Sequence, residues 1–187
     1  VIVTESGCAS AAPAATTVTV NPIPATPTIT PDGQTAFCEG GSVTLTSSST
    51  SGNQWSLDGT PIGGATGHQH VATAAGGYTV IVTASGCVSA ASAATTVTMS
   101  PTPATPAITP GGPTTFCEGG SVTLTSSSTN GNQWSLGGSP IGAATGQHFV
   151  ASASGNYTVI VTTAGCPSAA STATTVTVSP APVATIS

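Results

Sequence analysis

Few residues in this 187-residue chain could do chemistry: five cysteines, three histidines and five acids, with no lysine or arginine. The cysteines are Cys8, Cys38, Cys87, Cys117 and Cys166, and 38 to 87 and 117 to 166 are both intervals of 49 residues. A zinc site needs clustered ligands, such as two cysteines about two to four residues apart, and this chain has none. Disulfides fit the spacing better. The expected pairs are Cys38 with Cys87 and Cys117 with Cys166, each closing a loop whose cross-link contributes on the order of 4 kcal/mol. Cys8 is left unpaired or has its partner outside this window. Disulfides imply an oxidising compartment, so the chain is expected to be extracellular, on a cell surface or secreted.

The other polar groups give weaker signals. His68-Gln69-His70 places two imidazoles on one face of an extended segment, an arrangement that can hold a metal. Further along, Gln147 and Phe149 stand at the matching positions and His148 lies one residue off. A place that accepts histidine or phenylalanine is a packing position, and no metal is expected. Glu39 and Glu118 each follow a cysteine and precede Gly-Gly. Acid–base work by paired carboxylates needs a second acid held close by, yet Asp32 and Asp58 have glycines, Gly111 and Gly137, as counterparts. A calcium site of about six to eight oxygens is also under-supplied. A serine nucleophile needs a base oriented by a third group, and no Gly-x-Ser-x-Gly elbow is present. No catalytic residue and no cofactor is expected, and the chain reads as a non-enzyme.

Composition removes further classes. Charged residues make up 3% of the chain, against about 25% in ordinary soluble domains. A net charge of −5 without a single cation excludes binding to phosphate backbones, which runs on Lys and Arg. It also excludes a basic helix lying on a membrane. The longest apolar runs, such as Val80-Ile81-Val82, are far too short to cross a bilayer, so no membrane insertion is expected in this window. No signal-peptide pattern opens the chain, so any targeting signal is expected to have been removed or to lie outside the window.

The elements that position these residues recur with a period of 79. Val-Ile-Val-Thr begins at 1, 80 and 159, Phe-Cys-Glu-Gly-Gly at 37 and 116, and Asn-Gln-Trp-Ser-Leu at 53 and 132. Between 22–100 and 101–179 there are 20 differences, leaving 59 of 79 positions identical. The expected organisation is 1–21 as the last hairpin of an incomplete repeat, 22–100 and 101–179 as full repeats, and 180–187 as the start of another or a linker strand. Pro-rich joints such as Pro101-Thr102-Pro103 separate the repeats, and alternating prolines favour semi-rigid spacers. Inside each repeat the period is two, as in Val43-Thr44-Leu45-Thr46 and Tyr78-Thr79-Val80-Ile81-Val82. Gly-, Ser- and Asn-rich turns separate the runs, with Asp58-Gly59 placed as a hairpin turn requires. No helical period with caps occurs. The expected fold class is all-β: tandem small antiparallel β-sandwiches, with one disulfide per repeat.

The order Cys38, Trp55, Tyr78, Cys87 resembles the immunoglobulin-like fold. Phe-Cys-Glu-Gly-Gly-Ser-Val-Thr-Leu-Thr, Gln-Trp-Ser-Leu and Gly-Gly-Tyr-Thr-Val-Ile-Val-Thr-Ala-Ser-Gly-Cys resemble more closely the tandem Ig-like repeats of very large bacterial surface and secreted proteins. Tyr78 lies nine residues before Cys87 rather than the two of antibody domains, so the expected bridge ties one end of the sandwich. The resemblance implies a stalk, filament or adhesive module on a bacterial surface and carries over no enzymatic residue. The leading expectation is a structural protein. The alternative is an adhesin whose repeats engage glycans or another surface, which an exposed Trp55 or Trp134 would favour.

Thr44, Thr46, Thr96, Thr98, Thr123 and Thr125 form Thr-x-Thr ladders on faces expected to meet solvent. Threonine there keeps a strand polar without charge. The same Ser/Thr-rich composition is that of O-glycosylated stalks, and flat threonine arrays can also bind ice. Asn156-Tyr157-Thr158 is the single N-glycosylation sequon. The hairpin of residues 1–20 is marginal alone. Either it completes a domain in a longer chain or it docks on another subunit's sheet edge by β-augmentation. An uncharged surface lacks the usual lysine defence of edge strands, which points to self-association with neighbouring repeats or subunits.

Overall fold

The computed structural model describes residues 1–182. The order of strands follows the period-two pattern closely. A short hairpin comes first, β1 (Thr4–Glu5) and β2 (Cys8–Ala9). The first repeat contains β3 (Ile29–Pro31), β4 (Ala36–Cys38), β5 (Val43–Ser47), β6 (Asn53–Leu57), β7 (Thr60–Pro61), β8 (Gln69–Ala72), β9 (Gly76–Ala84), β10 (Cys87–Val88) and β11 (Thr95–Ser100). The second contains β12 (Ile108–Pro110), β13 (Thr115–Cys117), β14 (Val122–Ser126), β15 (Asn132–Leu136), β16 (Ser139–Pro140), β17 (His148–Ala151), β18 (Gly155–Thr163), β19 (Cys166–Pro167) and β20 (Thr174–Ser179). No helix occurs among the described residues. Of the expected segment 180–187, residues 183–187 lie outside the described residues.

In the second repeat, β12-β14-β17 forms one sheet and β13-β20-β18-β15-β16 the other, with β19 folded back on β18. Pairing is antiparallel except for β13 beside β20, which is parallel. Alternation sends Val122, Leu124, Trp134, Ala151, Tyr157, Val159 and Val176 into one buried cluster between the sheets. Burying such a set is the dominant stabilising term, and each polar tip within it is paired. Trp134 Nε1 donates to the Gly146 carbonyl at 2.9 Å. Tyr157 Oη donates to the Ala153 carbonyl at 2.9 Å, four residues upstream at the entry to β18. That bond is a tyrosine corner. Together with a first strand split between the two sheets as β12 and β13, it defines an immunoglobulin-like sandwich. The first repeat has the same two orders, β3-β5-β8 and β4-β11-β9-β6-β7.

Asp58 and Gly59 both adopt positive φ, 48° and 79°, in the two-residue turn that joins β6 to β7, as the sequence predicts. Two further glycines are required by space. A Cβ on Gly52 or Gly131 would meet the carbonyl oxygen of Thr83 or Thr162 at 2.3 or 2.4 Å, and both glycines have φ above +70°.

By compactness the chain divides into two units. One comprises Val1–Pro31, Leu45–His70 and Gly77–Thr95; the other comprises Asp32–Thr44, Val71–Gly76 and the chain from Thr96 onward. The second unit therefore holds the whole second repeat together with the Cys38 segment of the first.

Candidate functional site: the cysteine junction

The cysteines do not pair within repeats. Cys38 is bonded to Cys166, 128 residues away, with Cα atoms 5.5 Å apart. Cys8, Cys87 and Cys117 are free thiols. This corrects the expected Cys38–Cys87 and Cys117–Cys166 pairs and the expectation of one bridge per repeat. Strand length supplies the reason. Cys117 lies opposite Ser179 at the far end of β20, beyond the point where Val176 meets Gly155 at the start of β18. Cys166 lies at the other end of β18, opposite Thr163. The eight steps of β18 alone span about 26 Å at roughly 3.3 Å per residue, whereas bridged Cα atoms lie within about 7 Å.

The second unit brings Cys38 and Cys166 together on one residue, Ser100. The parallel pair β4–β11 sets Cys38 opposite Ser100, and the Glu39 N–H donates to the Ser100 carbonyl at 2.9 Å. From the other side Cys166 Sγ lies 3.9 Å from the same carbonyl oxygen. Cys166 is carried there by the β18–β19 hairpin, whose Ala164-Gly165 turn has φ of 49° and 80°, the tight left-handed turn that matches strand twist. Ser100 is thus a ledge against which a strand-end cysteine and a hairpin cysteine meet. In the first unit Cys87 has the corresponding hairpin and ledge. Its Sγ lies 3.5 Å from the Asn21 carbonyl, and Asn21 Nδ2 donates to the Ser85 carbonyl at 2.9 Å.

Serines hold these hairpins, a role the sequence reading did not assign. The Val161 N–H donates to Ser168 Oγ at 3.0 Å and the Val159 N–H to Ser171 Oγ at 3.0 Å. Ser89 and Ser92 do the same for Val82 and Val80 at 2.9 and 3.1 Å. All four serines are buried, and their hydroxyls replace strand partners where no strand continues. The signal was the serine spacing of three after each hairpin cysteine, Ser89 to Ser92 and Ser168 to Ser171.

The remaining candidates disperse. His68 Nδ1 bonds the Ser49 carbonyl at 2.8 Å. His70 instead is half-buried and packs between Trp55 and Tyr78, stacked on the first and tilted against the second, with ring centroids 5.7 and 5.6 Å away. Phe149 fills the same place between Trp134 and Tyr157 at 5.8 and 5.6 Å. Burial holds the His70 imidazole below its usual pKa. Among the described residues no three His, Cys, Asp or Glu side chains converge as metal ligands. Glu39 and Glu118 are exposed, the first beside Ser100 and the second beside Ser179.

Thr96, Thr98 and Thr123 are exposed, while Thr44, Thr46 and Thr125 are half-buried. Thr46 Oγ1 accepts from Gln69 Nε2 at 3.1 Å, and Thr125 Oγ1 bonds His148 Nδ1 at 3.0 Å. Asn156 is exposed, and its Oδ1 accepts from Thr175 Oγ1 at 2.8 Å. Trp55 and Trp134 are both fully buried and offer no aromatic platform. No helix of the described residues is long and apolar enough to cross a membrane.

No family model matches the chain, and no curated protein matches it. Among solved structures it is similar to a chain in the crystal structure of mouse coronavirus receptor-binding domain complexed with its murine receptor. That match has 15% identity, covers 81% of this chain and 99% of that one, and has a TM-score of 0.49. It is also similar to the human OSCAR ligand-binding domain, with 14% identity, 82% and 99% coverage and a TM-score of 0.35. The strand order and the tyrosine corner, rather than these loose superpositions, define the fold.

Proposed function

We propose that this chain is a structural, non-enzymatic segment of an extracellular stalk or filament of the kind carried on bacterial surfaces, its Ig-like repeats fastened to one another by disulfides. The observation that carries this reading is the Cys38–Cys166 bond. It closes 128 residues of chain across two repeats, where a bond serving one sandwich would stay inside it. Tension entering at Cys38 leaves at Cys166, so the intervening chain bears none of it. The buried tryptophans disfavour the adhesin alternative, because carbohydrate sites rely on exposed aromatics. The outward threonines and Asn156 are available for glycans on this reading, and an oxidising extracellular setting suits the bridge.

Single-molecule extension between handles at the two termini tests the proposal. The oxidised chain is expected to withhold the length between the cysteines. Reduction is expected to release about 45 nm more, since 128 residues extend by roughly 3.3–3.6 Å each. Equal contour lengths before and after reduction would remove the load-bearing role.

A further inference from the structure

We propose that Asn130-Gly131 is a site of spontaneous self-modification, at which the Gly131 backbone nitrogen displaces ammonia from the Asn130 side chain and leaves aspartate or isoaspartate at position 130. The co-reactant is water, and no enzyme takes part. This chemistry is independent of the role in a stalk or filament.

The fold singles out one asparagine of five. The reaction needs an accessible side chain and an unbonded amide N–H on the residue that follows it. Asn21 precedes Pro22, whose nitrogen carries no hydrogen. Asn53 and Asn132 are buried, and the residues after them, Gln54 and Gln133, are paired in strands with Ile81 and Ile160. Tyr157, after Asn156, is paired on both sides, with Leu136 and Thr174, and Thr175 holds the Asn156 side chain. Asn130 differs on every count. It is exposed in the connection between β14 and β15. Its side-chain Nδ2 donates to Thr129 Oγ1 at 3.2 Å. The Gly131 N–H makes no hydrogen bond among the described residues, and glycine has no side chain to obstruct a close approach. The matching turn of the first repeat carries Ser51-Gly52, which has no amide to lose.

The Gly131 nitrogen gives up its proton to base and attacks Asn130 Cγ. The N–Cγ bond forms, the Cγ–Nδ2 bond breaks, and the departing nitrogen takes a proton and leaves as ammonia. Water then opens the cyclic imide. Addition at Cγ breaks the new bond and gives aspartate in an ordinary backbone. Addition at the main-chain carbonyl carbon of residue 130 breaks the original peptide bond and gives isoaspartate, whose Cβ and Cγ now run in the main chain. Either route consumes one water, releases one ammonia and moves no electrons between reactants. Either adds a negative charge to a repeat whose single acid is Glu118.

The turn has no slack for the extra carbon. Ser128 Oγ donates to the Asn130 carbonyl at 2.8 Å, and Asn132 Nδ2 donates to the Ser128 carbonyl at 3.0 Å. The Thr162 N–H donates to the Gly131 carbonyl at 2.9 Å. A Cβ on Gly131 would lie 2.4 Å from the Thr162 carbonyl oxygen. In isoaspartate the carbonyl that Ser128 holds leaves the main chain, and the longer backbone displaces Gly131 from Thr162. Ageing therefore loosens the second repeat at this turn and spares the first.

The test incubates the full chain in mildly alkaline buffer and maps it with chymotrypsin, which needs no Lys or Arg. The peptide ending at Trp134 should gain the Asn-to-Asp mass difference and split into two chromatographic isomers, with fragmentation placing the change at position 130. Its rate should rise with pH, and the peptides carrying Asn21, Asn53 and Asn156 should keep their mass. N130S should show no change. Conversion of Asn156 as fast as that of Asn130 would overturn the proposal. So would an Asn130 that persists in the folded chain while the same peptide, cut free, converts. The isoaspartate fraction should unfold at lower denaturant than fresh chain, whereas N130D, which adds the charge without the extra carbon, should match fresh chain. Equal midpoints for the isoaspartate fraction and fresh chain would refute the effect on the turn.

Discussion

Replacing single cysteines by serine separates a bridge between repeats from bridges within them. Closing a loop of 128 residues lowers the entropy of the unfolded chain by an amount worth about 5 kcal/mol, as an upper figure. C38S and C166S are each expected to lose most of that from the unit that holds both cysteines. The double variant should lose no more than either single one, because the two residues act through one bond. With a guanidinium slope of about 4 kcal/mol per molar, the midpoint should fall by roughly 1 M. C87S and C117S touch free thiols and should leave the midpoint unchanged. The assay is equilibrium unfolding of the oxidised proteins followed by tryptophan fluorescence, since Trp55 and Trp134 report on their own sandwiches. If C87S falls as far as C38S, or C117S as far as C166S, the cysteines are paired within repeats and the junction is wrong.

Three further outcomes follow from packing and ionisation. G131A should destabilise the second repeat by more than about 2 kcal/mol, because it adds a left-handed strain to a Cβ 2.4 Å from a backbone oxygen; thermal unfolding reads it. W134F keeps an aromatic ring but leaves the Gly146 carbonyl without its donor, and should cost about 1–3 kcal/mol by chemical denaturation. Burial lowers the His70 pKa, so below about 6.5 the unfolded chain binds more protons than the folded one. Stability from His70 is therefore full above that pH and is lost as pH falls toward the lower folded value. H70F, which copies Phe149, should flatten the acid side of the first repeat's stability curve. An unchanged curve would mean that His70 is solvated.

Much of the sandwich was legible because strand burial writes itself as alternation. Val43 and Leu45 point inward while Thr44 and Thr46 point outward, and Asp58-Gly59 turns where its sequence says it should. The tolerance of one position for His70 and Phe149 correctly marked a packing site. Connectivity was not legible. A repeat copies each cysteine, so Cys166 sees chemically equivalent partners at 117 and 38, and only the length of β18, which holds Cys117 away from it, decides between them. The buried serines escaped for a related reason: Ser168 and Ser171 sit in an Ala-rich stretch that looks like a loop, and only backbone groups from a distant strand show that their hydroxyls act as rungs.

The reach of the Cys38–Cys166 bond also bears on the order of events during biosynthesis. In an unfolded chain, closure probability falls as about the three-halves power of loop length. Cys38 would then find Cys87, 49 residues on, roughly four times as readily as Cys166, 128 residues on, by that scaling. Early oxidation therefore traps the chain in local loops that its sandwiches cannot accommodate. The observed pairing is reached when the strands fold first and hold the nearer thiols apart. A cell making this protein must delay the oxidant, or reshuffle its products, until two successive repeats have left the ribosome and folded.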